Sequence, residues 1–163
     1  VVAVLGRKGI ELILGVRADT SMHINMISAI SNQGKLHFLL YSDAIDSDRL
    51  ISFMNAIIKT AAGRRVYLIL DNLKVHHSNK VSAWAKEHEA QIRLFQLPPY
   101  CPEYNPDEYL NNDLKRNLGT QAMVKTVQEL EENATEVLNQ FSADTEHVKS
   151  NFDHPKLKPY KLD

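Results

Sequence analysis

The sequence predicts an α/β domain in which helices cover a mixed β-sheet, and three observations support this fold class. The first forty residues contain apolar, β-rich segments around a turn signal, which is typical of antiparallel strands. Residues 66–70 are nearly all apolar, as central parallel strands are when both of their faces are buried. Helical and strand patterns alternate after residue 66, which indicates a sheet covered by helices.

Size and composition restrict the possible classes of protein. The chain has 163 residues, 44% of them hydrophobic and 24% charged, which fits one domain with a substantial core. No apolar run approaches the ~20 residues of a membrane span. The single cysteine, Cys101, rules out an internal disulfide and fits a reducing compartment. The net charge of −1 shows no basic excess, so any DNA contacts are few, or the main DNA-binding part lies elsewhere.

Three strands and a helix are predicted in the first half of the chain. The strands cover residues 10–16, 23–30 and 36–41, with the turn signal Asn32-Gln33-Gly34 before the third. One face of the second strand carries Met22, Ile24, Met26 and Ser28. Asp46-Ser47 can cap a helix that Gly63 ends. The apolar stripe of this helix is Leu50, Met54, Ile57 and Ile58.

The second half alternates strands and helices. After the strand at 66–70, a helix begins near Ser78, and residues 92–95 form a further strand. The loop at 97–106 is rich in proline, and a helix follows from Pro106 to about Leu118. Thr120 can cap a last helix, whose apolar positions are Met123, Val127, Leu130, Ala134, Val137 and Phe141. We expect a domain over residues 1–141 and a loosely packed tail over 142–163.

Asp71 ends the apolar strand in the sequence Leu68-Ile-Leu-Asp71-Asn72. Ligand sites in open α/β sheets lie at the carboxyl ends of strands, so this position favours a functional carboxylate. An Asp-Asn pair also forms turns that stop strands, and this structural interpretation remains open.

Glu108 follows a proline-rich stretch, Pro98-Pro-Tyr-Cys-Pro-Glu-Tyr-Asn-Pro-Asp-Glu108. Asn105-Pro106-Asp107-Glu108 also has the pattern of a capping box with proline at the first helical position. Both interpretations can hold, because a helix that starts near the strand ends also directs an acid into the site. Asp107 is the alternative candidate to Glu108 for the functional acid at the start of this helix. Two such carboxylates brought together form a Mg²⁺ site.

Polar residues near these acids are candidates for contacts with DNA phosphates. His76 and His77 follow Asp71, although solvated histidines before a helix cap are an equal alternative. Mg²⁺ prefers oxygen ligands, so direct ligation by these histidines is not expected. The complete set of candidates is Asn72, His76, His77, Asn111, Asn112 and Lys115.

These motifs together resemble the catalytic domain of DDE transposases, in the branch of mariner-like bacterial insertion sequences. The resemblance covers about residues 6–160, and it includes the segments at 24–30 and 147–155. It implies an RNase H-like fold with Asp71 and Glu108 as the second and third catalytic acids. It also implies two Mg²⁺ or Mn²⁺ ions in the intact enzyme, DNA at transposon ends and targets as partner, and a bacterial cytoplasmic location, on the nucleoid when DNA is bound.

The family's first catalytic Asp has no counterpart here. It precedes the segment matching residues 6–9, whereas no acid of this chain comes before Glu11, and neither Glu11 nor Asp19 aligns with it. We therefore expect a sheet lacking its first, central strand, and a C-terminal fragment of a transposase without its helix-turn-helix region. Mg²⁺ binding should be weak and the chain inactive alone. The alternatives are a remnant or dimerisation module that modulates full-length transposase, and another RNase H-like nuclease.

Overall fold

The computed structural model describes residues 2–13, 21–71, 74–98, 102–120 and 124–157, and all structural statements below concern these residues. The strands are β1 (Val2–Ile13), β2 (Ser21–Ser31), β3 (Leu36–Tyr41), β4 (Val66–Leu70) and β5 (Ile92–Gln96). The helices are α1 (Ser47–Thr60), α2 (Asn79–Glu87), α3 (Pro106–Thr120), α4 (Val127–Ala143) and α5 (Thr145–Ser150). Short 3₁₀ turns cover Lys74–His77 and Pro102–Tyr104. No helix in these ranges is long and apolar enough to cross a membrane.

The five strands form one mixed sheet in the order β3-β2-β1-β4-β5. β1 pairs antiparallel with β2, and β2 pairs antiparallel with β3, as the predicted meander requires. β4 runs parallel to both β1 and β5. The predicted bounds of β3 and β4 are confirmed, and the fold class is the expected helix-covered mixed sheet.

The centre of the sheet is occupied, and the expectation of a missing central strand is wrong. β1 begins earlier than predicted, and its first residues pair with β4 from Val2 opposite Tyr67 to Leu5 opposite Leu70. The physical reason is that the apolar segment at the start of the chain supplies a complete ladder of backbone hydrogen bonds without needing a carboxylate. β1 contains one acidic residue, Glu11, which pairs with His23 of β2.

Helices bury both faces of the sheet. One buried cluster joins residues of β2 to the apolar stripes of α3 and α4, including Leu110, Leu114 and Leu118. The other joins the opposite face of β2 and β4 to α1 and α2. β4 is less covered than predicted, because Tyr67 remains 37% exposed beside Phe95 of β5.

Helix caps fix the ends of most helices. Asp46 caps α1 by accepting a hydrogen bond from the Arg49 amide at 2.8 Å, and Ser78 caps α2, both as predicted. Inside α2, Trp84 is 8% exposed and stacks on His88 at 4.5 Å between ring centroids. The capping oxygens of Asp46 and Ser78 accept hydrogen bonds from the first amides of these helices, which have no acceptor within the helix.

The predicted start of the last long helix is wrong. Thr126 caps α4, accepting a hydrogen bond from the Glu129 amide at 3.1 Å, whereas Thr120 is the last residue of α3. The turn between these helices therefore lies later than the pattern indicated, and Val127 is 43% exposed rather than inward. Met123 lies outside the described residues. The inward positions from Leu130 to Phe141 are confirmed.

The segment after residue 142 packs more tightly than expected. It forms α5 and then buries Phe152 and Leu157, at 1% and 0% exposure. Val148 of α5 is also fully buried and joins the cluster between the sheet and α4. These apolar side chains are spaced four and five residues apart among polar ones, so the sequence pattern does not reveal the segment's contribution to the core.

Two glycines with positive φ allow a matched stability test. Gly34 has φ +81°, and a Cβ placed there would lie 2.6 Å from the carbonyl oxygen of Thr145. Gly63 has φ +80° with nothing within 4 Å of that position. Gly63→Ala should lower the free energy of unfolding by about 1–2 kcal/mol, the cost of left-handed backbone. Gly34→Ala should lower it by a further ~1–3 kcal/mol of overpacking.

Urea unfolding followed by circular dichroism measures both changes. Equal losses for the two variants would contradict the close approach of α5 to the turn between β2 and β3.

Candidate active site

Asp71 lies directly after β4, at the carboxyl end of a parallel strand. Leu68 and Leu70 belong to the cluster on the α1 and α2 side, whereas Ile69 packs toward the cluster containing α3. Because successive side chains of a strand alternate between faces, Asp71 continues on the α3 side. Its side chain is 25% exposed, so the carboxylate is partly open to solvent.

His76 contacts Asp71 through one ring nitrogen. Its Nδ1 lies 2.7 Å from the Asp71 carbonyl oxygen and 3.0 Å from the carboxylate Oδ1. The His76 side chain is fully buried, so the expectation that it contacts DNA is wrong for this structure. The physical reason is the hydrogen bond between His76 Nδ1 and the Asp71 carbonyl oxygen, which keeps the ring inside the protein rather than in solvent.

The first turn of α3 is tied to β2 through a buried hydrogen bond. Ser28 Oγ donates to Asp107 Oδ1 at 2.7 Å, and Asp107 is 1% exposed. The Asn105 side chain accepts a hydrogen bond from the Asp107 amide at 3.0 Å, which confirms its predicted capping role. Asp107 therefore holds the helix against the sheet, and Glu108, the next residue, is only partly buried.

Strand register brings the two acidic positions to the same end of the sheet. Leu5 of β1 pairs with Leu70, and Gly6 pairs with Ser28 on the other side. Asp71 and Ser28 thus lie at the same level on either side of β1, about 10 Å apart across two strand spacings. Since Ser28 bonds Asp107, Asp71 and the acidic turn of α3 face the same region of the sheet.

The position on β1 between these residues carries no carboxylate. Gly6 occupies the level of Asp71, and Glu11 lies six residues beyond Leu5, about 20 Å further along the strand. Among the described residues, no group of three or more His, Cys, Asp or Glu side chains could hold a metal ion. Asp19 lies outside the described residues.

The remaining residues predicted to contact DNA differ in their solvent exposure. Asn111 is 1% exposed, so the expectation that it contacts DNA is wrong for this structure. It continues the inward row of Asp107, Leu114 and Leu118. This inward row includes Asp107 because the Asp107 carboxylate accepts a hydrogen bond from the buried Ser28 hydroxyl. Asn112, Lys115 and His77 are exposed, whereas Asn72 and Cys101 lie outside the described residues.

Sequence reasoning missed the roles of Ser28 and His76. Ser28 interrupts an otherwise apolar inward row on β2, and that interruption was the available signal for a buried polar partner. No comparable signal exists for His76, because tandem histidines have no periodicity from which burial can be predicted.

Comparisons with known proteins agree with this architecture. The profile of the family described as DDE superfamily endonuclease matches residues 5–131. The catalytic domain of Mos1 mariner transposase superposes with a TM-score of 0.70 at 16% identity, covering 98% of this chain and 78% of that one. No curated protein matches the sequence closely enough to count as a relative.

Two further solved structures share the fold. Mos1 transposase catalytic domain with raltegravir and Mn gives a TM-score of 0.72 at 13% identity, covering 98% of this chain and 78% of that one. The Mos1 paired-end complex with the left transposon end gives 0.71 at 15% identity. That match covers 98% of this chain and 53% of the Mos1 chain, so the present chain spans about half the length of the transposase in that complex.

The bond between Ser28 and Asp107 should contribute measurably to stability. A buried hydrogen bond to a charged acceptor is worth about 1.5–3 kcal/mol, so Ser28→Ala should lower the free energy of unfolding by that amount. Ser31 is a matched control, since it is 3% exposed on the same strand and its hydroxyl accepts a bond from the Lys35 amide at 3.1 Å. Ser31→Ala should cost about 1 kcal/mol.

Urea denaturation of both variants makes the comparison. If the Ser28 variant were no less stable than the Ser31 variant, the tether between β2 and α3 would be refuted.

Proposed function

The chain belongs to the DDE superfamily endonuclease family, and from that premise we propose that it is a transposase catalytic domain acting on DNA phosphodiester bonds at transposon ends. One observation carries the proposal: the carboxylate of Asp71 stands partly exposed at the carboxyl end of β4, on the face where α3 begins with two acids. The fold shared with Mos1 transposase supports this assignment.

We propose that a divalent cation, Mg²⁺ or Mn²⁺, binds at Asp71 and Glu108. Carboxylate oxygens are the donors that such hard cations prefer, so the chemistry of both residues fits the ion. The described donors are too few for the two ions expected in an intact enzyme, and they fit only an open, weak site. When bound, such ions activate the attacking oxygen and stabilise the leaving oxygen of a phosphodiester.

Glu108 rather than Asp107 is the proposed ligand on α3. Asp107 is buried and accepts a hydrogen bond from Ser28, which suits a structural anchor. Glu108 is partly accessible, and the resemblance of the proline-rich motif to the transposase family supports it as the third acid. The role of Asp107 is then to hold the helix so that Glu108 faces the region of Asp71.

DNA is the proposed partner, at transposon ends and at target sites. Exposed His77, Asn112 and Lys115 lie on the segments that carry the two acids and can contact phosphates. The Mos1 complex with a left transposon end supports a nucleic-acid ligand for this fold. We further propose a second copy or a full-length transposase as a protein partner, and action in the bacterial cytoplasm, at the nucleoid when DNA is bound.

A second candidate function is a non-catalytic module that modulates a full-length transposase. The observation favouring it is Gly6, which stands on β1 at the level of Asp71, where a third carboxylate would complete the site. A domain that retains the fold and two acids but not the third can pair with an active copy without cleaving DNA itself.

Metal affinity tests the assignment of the acids. Asp71→Asn and Glu108→Gln should each weaken Mn²⁺ binding by about tenfold or more, since losing even an outer-sphere partner costs 10–100-fold. Asp107→Asn, which keeps an oxygen for Ser28, should leave the affinity within about threefold, because groups that do not touch the metal or its ligands rarely alter it further. Electron paramagnetic resonance of free Mn²⁺ gives the dissociation constants. Loss of binding in the Asp107 variant alone would make Asp107 the ligand instead.

Plasmid nicking separates the two candidate functions. With an incomplete set of carboxylates, the purified chain should not nick supercoiled DNA in Mn²⁺ above the level of the Asp71→Ala variant. Co-purification with a full-length transposase, unchanged by Asp71→Ala, would favour the modulating module. Clear nicking that Asp71→Ala abolishes would instead establish the chain as an enzyme by itself.

A further inference from the structure

The segment after β4 holds a buried histidine against the main candidate ligand. His76 Nδ1 lies within reach of two oxygens of Asp71, the carbonyl at 2.7 Å and the carboxylate Oδ1 at 3.0 Å. The His76 side chain has no exposed surface, and Asp71 Oδ1 is buried beside it. A single ring nitrogen therefore contacts both the main chain and the side chain of the same residue.

The other ring nitrogen defines the arrangement of protons. His76 Nε2 is buried and has no hydrogen-bond partner among the described residues. A buried N–H without an acceptor would cost about 1–3 kcal/mol, so in the neutral ring the proton sits on Nδ1 and is directed at Asp71. That N–H donates to the Asp71 carbonyl oxygen at 2.7 Å, and the carboxylate Oδ1 lies beside the same nitrogen at 3.0 Å, so the ring packs against the Asp71 side chain and restricts its rotation.

The 3₁₀ turn that carries His76 leads directly into the capped start of α2. Two residues after His76, Ser78 accepts a hydrogen bond from the Val81 amide at 3.3 Å and contacts the Ser47 hydroxyl at 2.9 Å. Val81, one turn into α2, is fully buried. The 3₁₀ turn is thus anchored at both ends, by β4 and by the cap of α2, and His76 has little freedom to leave Asp71.

We propose that His76 is a positioning residue: it holds the Asp71 carboxylate in one orientation and thereby sets the affinity of the site for a divalent cation. This inference rests on the proposed function, because it assumes that Asp71 is a ligand. The carboxylate Oδ1 is buried 3.0 Å from His76 Nδ1, which leaves the more exposed part of the Asp71 side chain for the cation. Partners of this kind orient ligating side chains, and losing one typically weakens metal binding by 10–100-fold.

A purely structural histidine is the competing explanation, and the chain contains a matched example. His88 Nδ1 lies 2.8 Å from the Trp84 carbonyl oxygen, the same contact between ring nitrogen and main chain, at the C-terminal end of α2. Its described contacts are this carbonyl and the Trp84 ring, and neither is a carboxylate. Variants at His88 therefore measure what the loss of a ring-to-carbonyl hydrogen bond does without touching Asp71.

The test compares isosteric side chains at both positions. Asn places an amide donor near the position of Nδ1, whereas Leu has the same shape without a donor. His76→Leu should weaken Mn²⁺ binding about tenfold, and His76→Asn should bind within about threefold of the parent chain. His88→Leu and His88→Asn should bind Mn²⁺ as the parent does. All dissociation constants come from paramagnetic resonance at one pH, with thermal unfolding recorded for each variant.

The variants at Asp71 and at His76 distinguish a failure of the proposed function from a failure of the positioning role alone. Parent-like Mn²⁺ binding by Asp71→Asn would remove the proposed ligand and with it the proposed function. Weak binding by Asp71→Asn together with parent-like binding by His76→Leu would overturn the positioning role alone. So would equal weakening by Asn and Leu at position 76.

If His76→Leu does not fold, His76→Gln takes its place, because its amide reaches the position of Nε2 rather than that of Nδ1. Weakened binding by Gln with retention by Asn supports the positioning role, and equal affinity of Gln and Asn variants overturns it.

Discussion

The pairing of β1 with both of its neighbours is the constraint on which the rest of the structure depends. β1 joins the antiparallel β2 and β3 on one side to the parallel β4 and β5 on the other. Without it, the chain would contain two two-stranded pieces, and a two-stranded piece is at best marginally stable alone. The short ladder from Val2 to Leu5 also fixes the level of Asp71 relative to Ser28, and so the position of the site.

Once this register is set, two buried polar contacts position the acidic residues of the site. Ser28 holds Asp107 and orients the start of α3, while His76 holds Asp71 at the end of β4. Ser28 Oγ donates to the Asp107 carboxylate, whereas His76 Nδ1 is hydrogen-bonded to the Asp71 carbonyl and lies 3.0 Å from the Asp71 carboxylate. Buried polar groups are tolerated in the protein interior because they are hydrogen-bonded, and their orientation is correspondingly restricted. At the start of α3, the anchored Asp107 is therefore followed directly by Glu108, whose carboxylate is more accessible.

Much of this architecture was predictable because it depends on local patterns. β3, β4, the caps Asp46 and Ser78, and the helix starting at Pro106 follow from alternation, apolar runs and capping side chains. The central position of β1 was not predicted, since an apolar segment carries no information about which strands it pairs with. The burial of His76 and Asn111 likewise depends on neighbours distant in sequence, and no local pattern encodes such neighbours.

Helix α2 follows the candidate site directly, and it contains the only tryptophan of the chain. Trp84 is almost fully buried and stacks on the His88 ring. The chain therefore possesses an intrinsic fluorophore one helix away from Asp71. Its emission reports the packing of α2 against the sheet, so unfolding of this unit can be followed optically without attaching a dye.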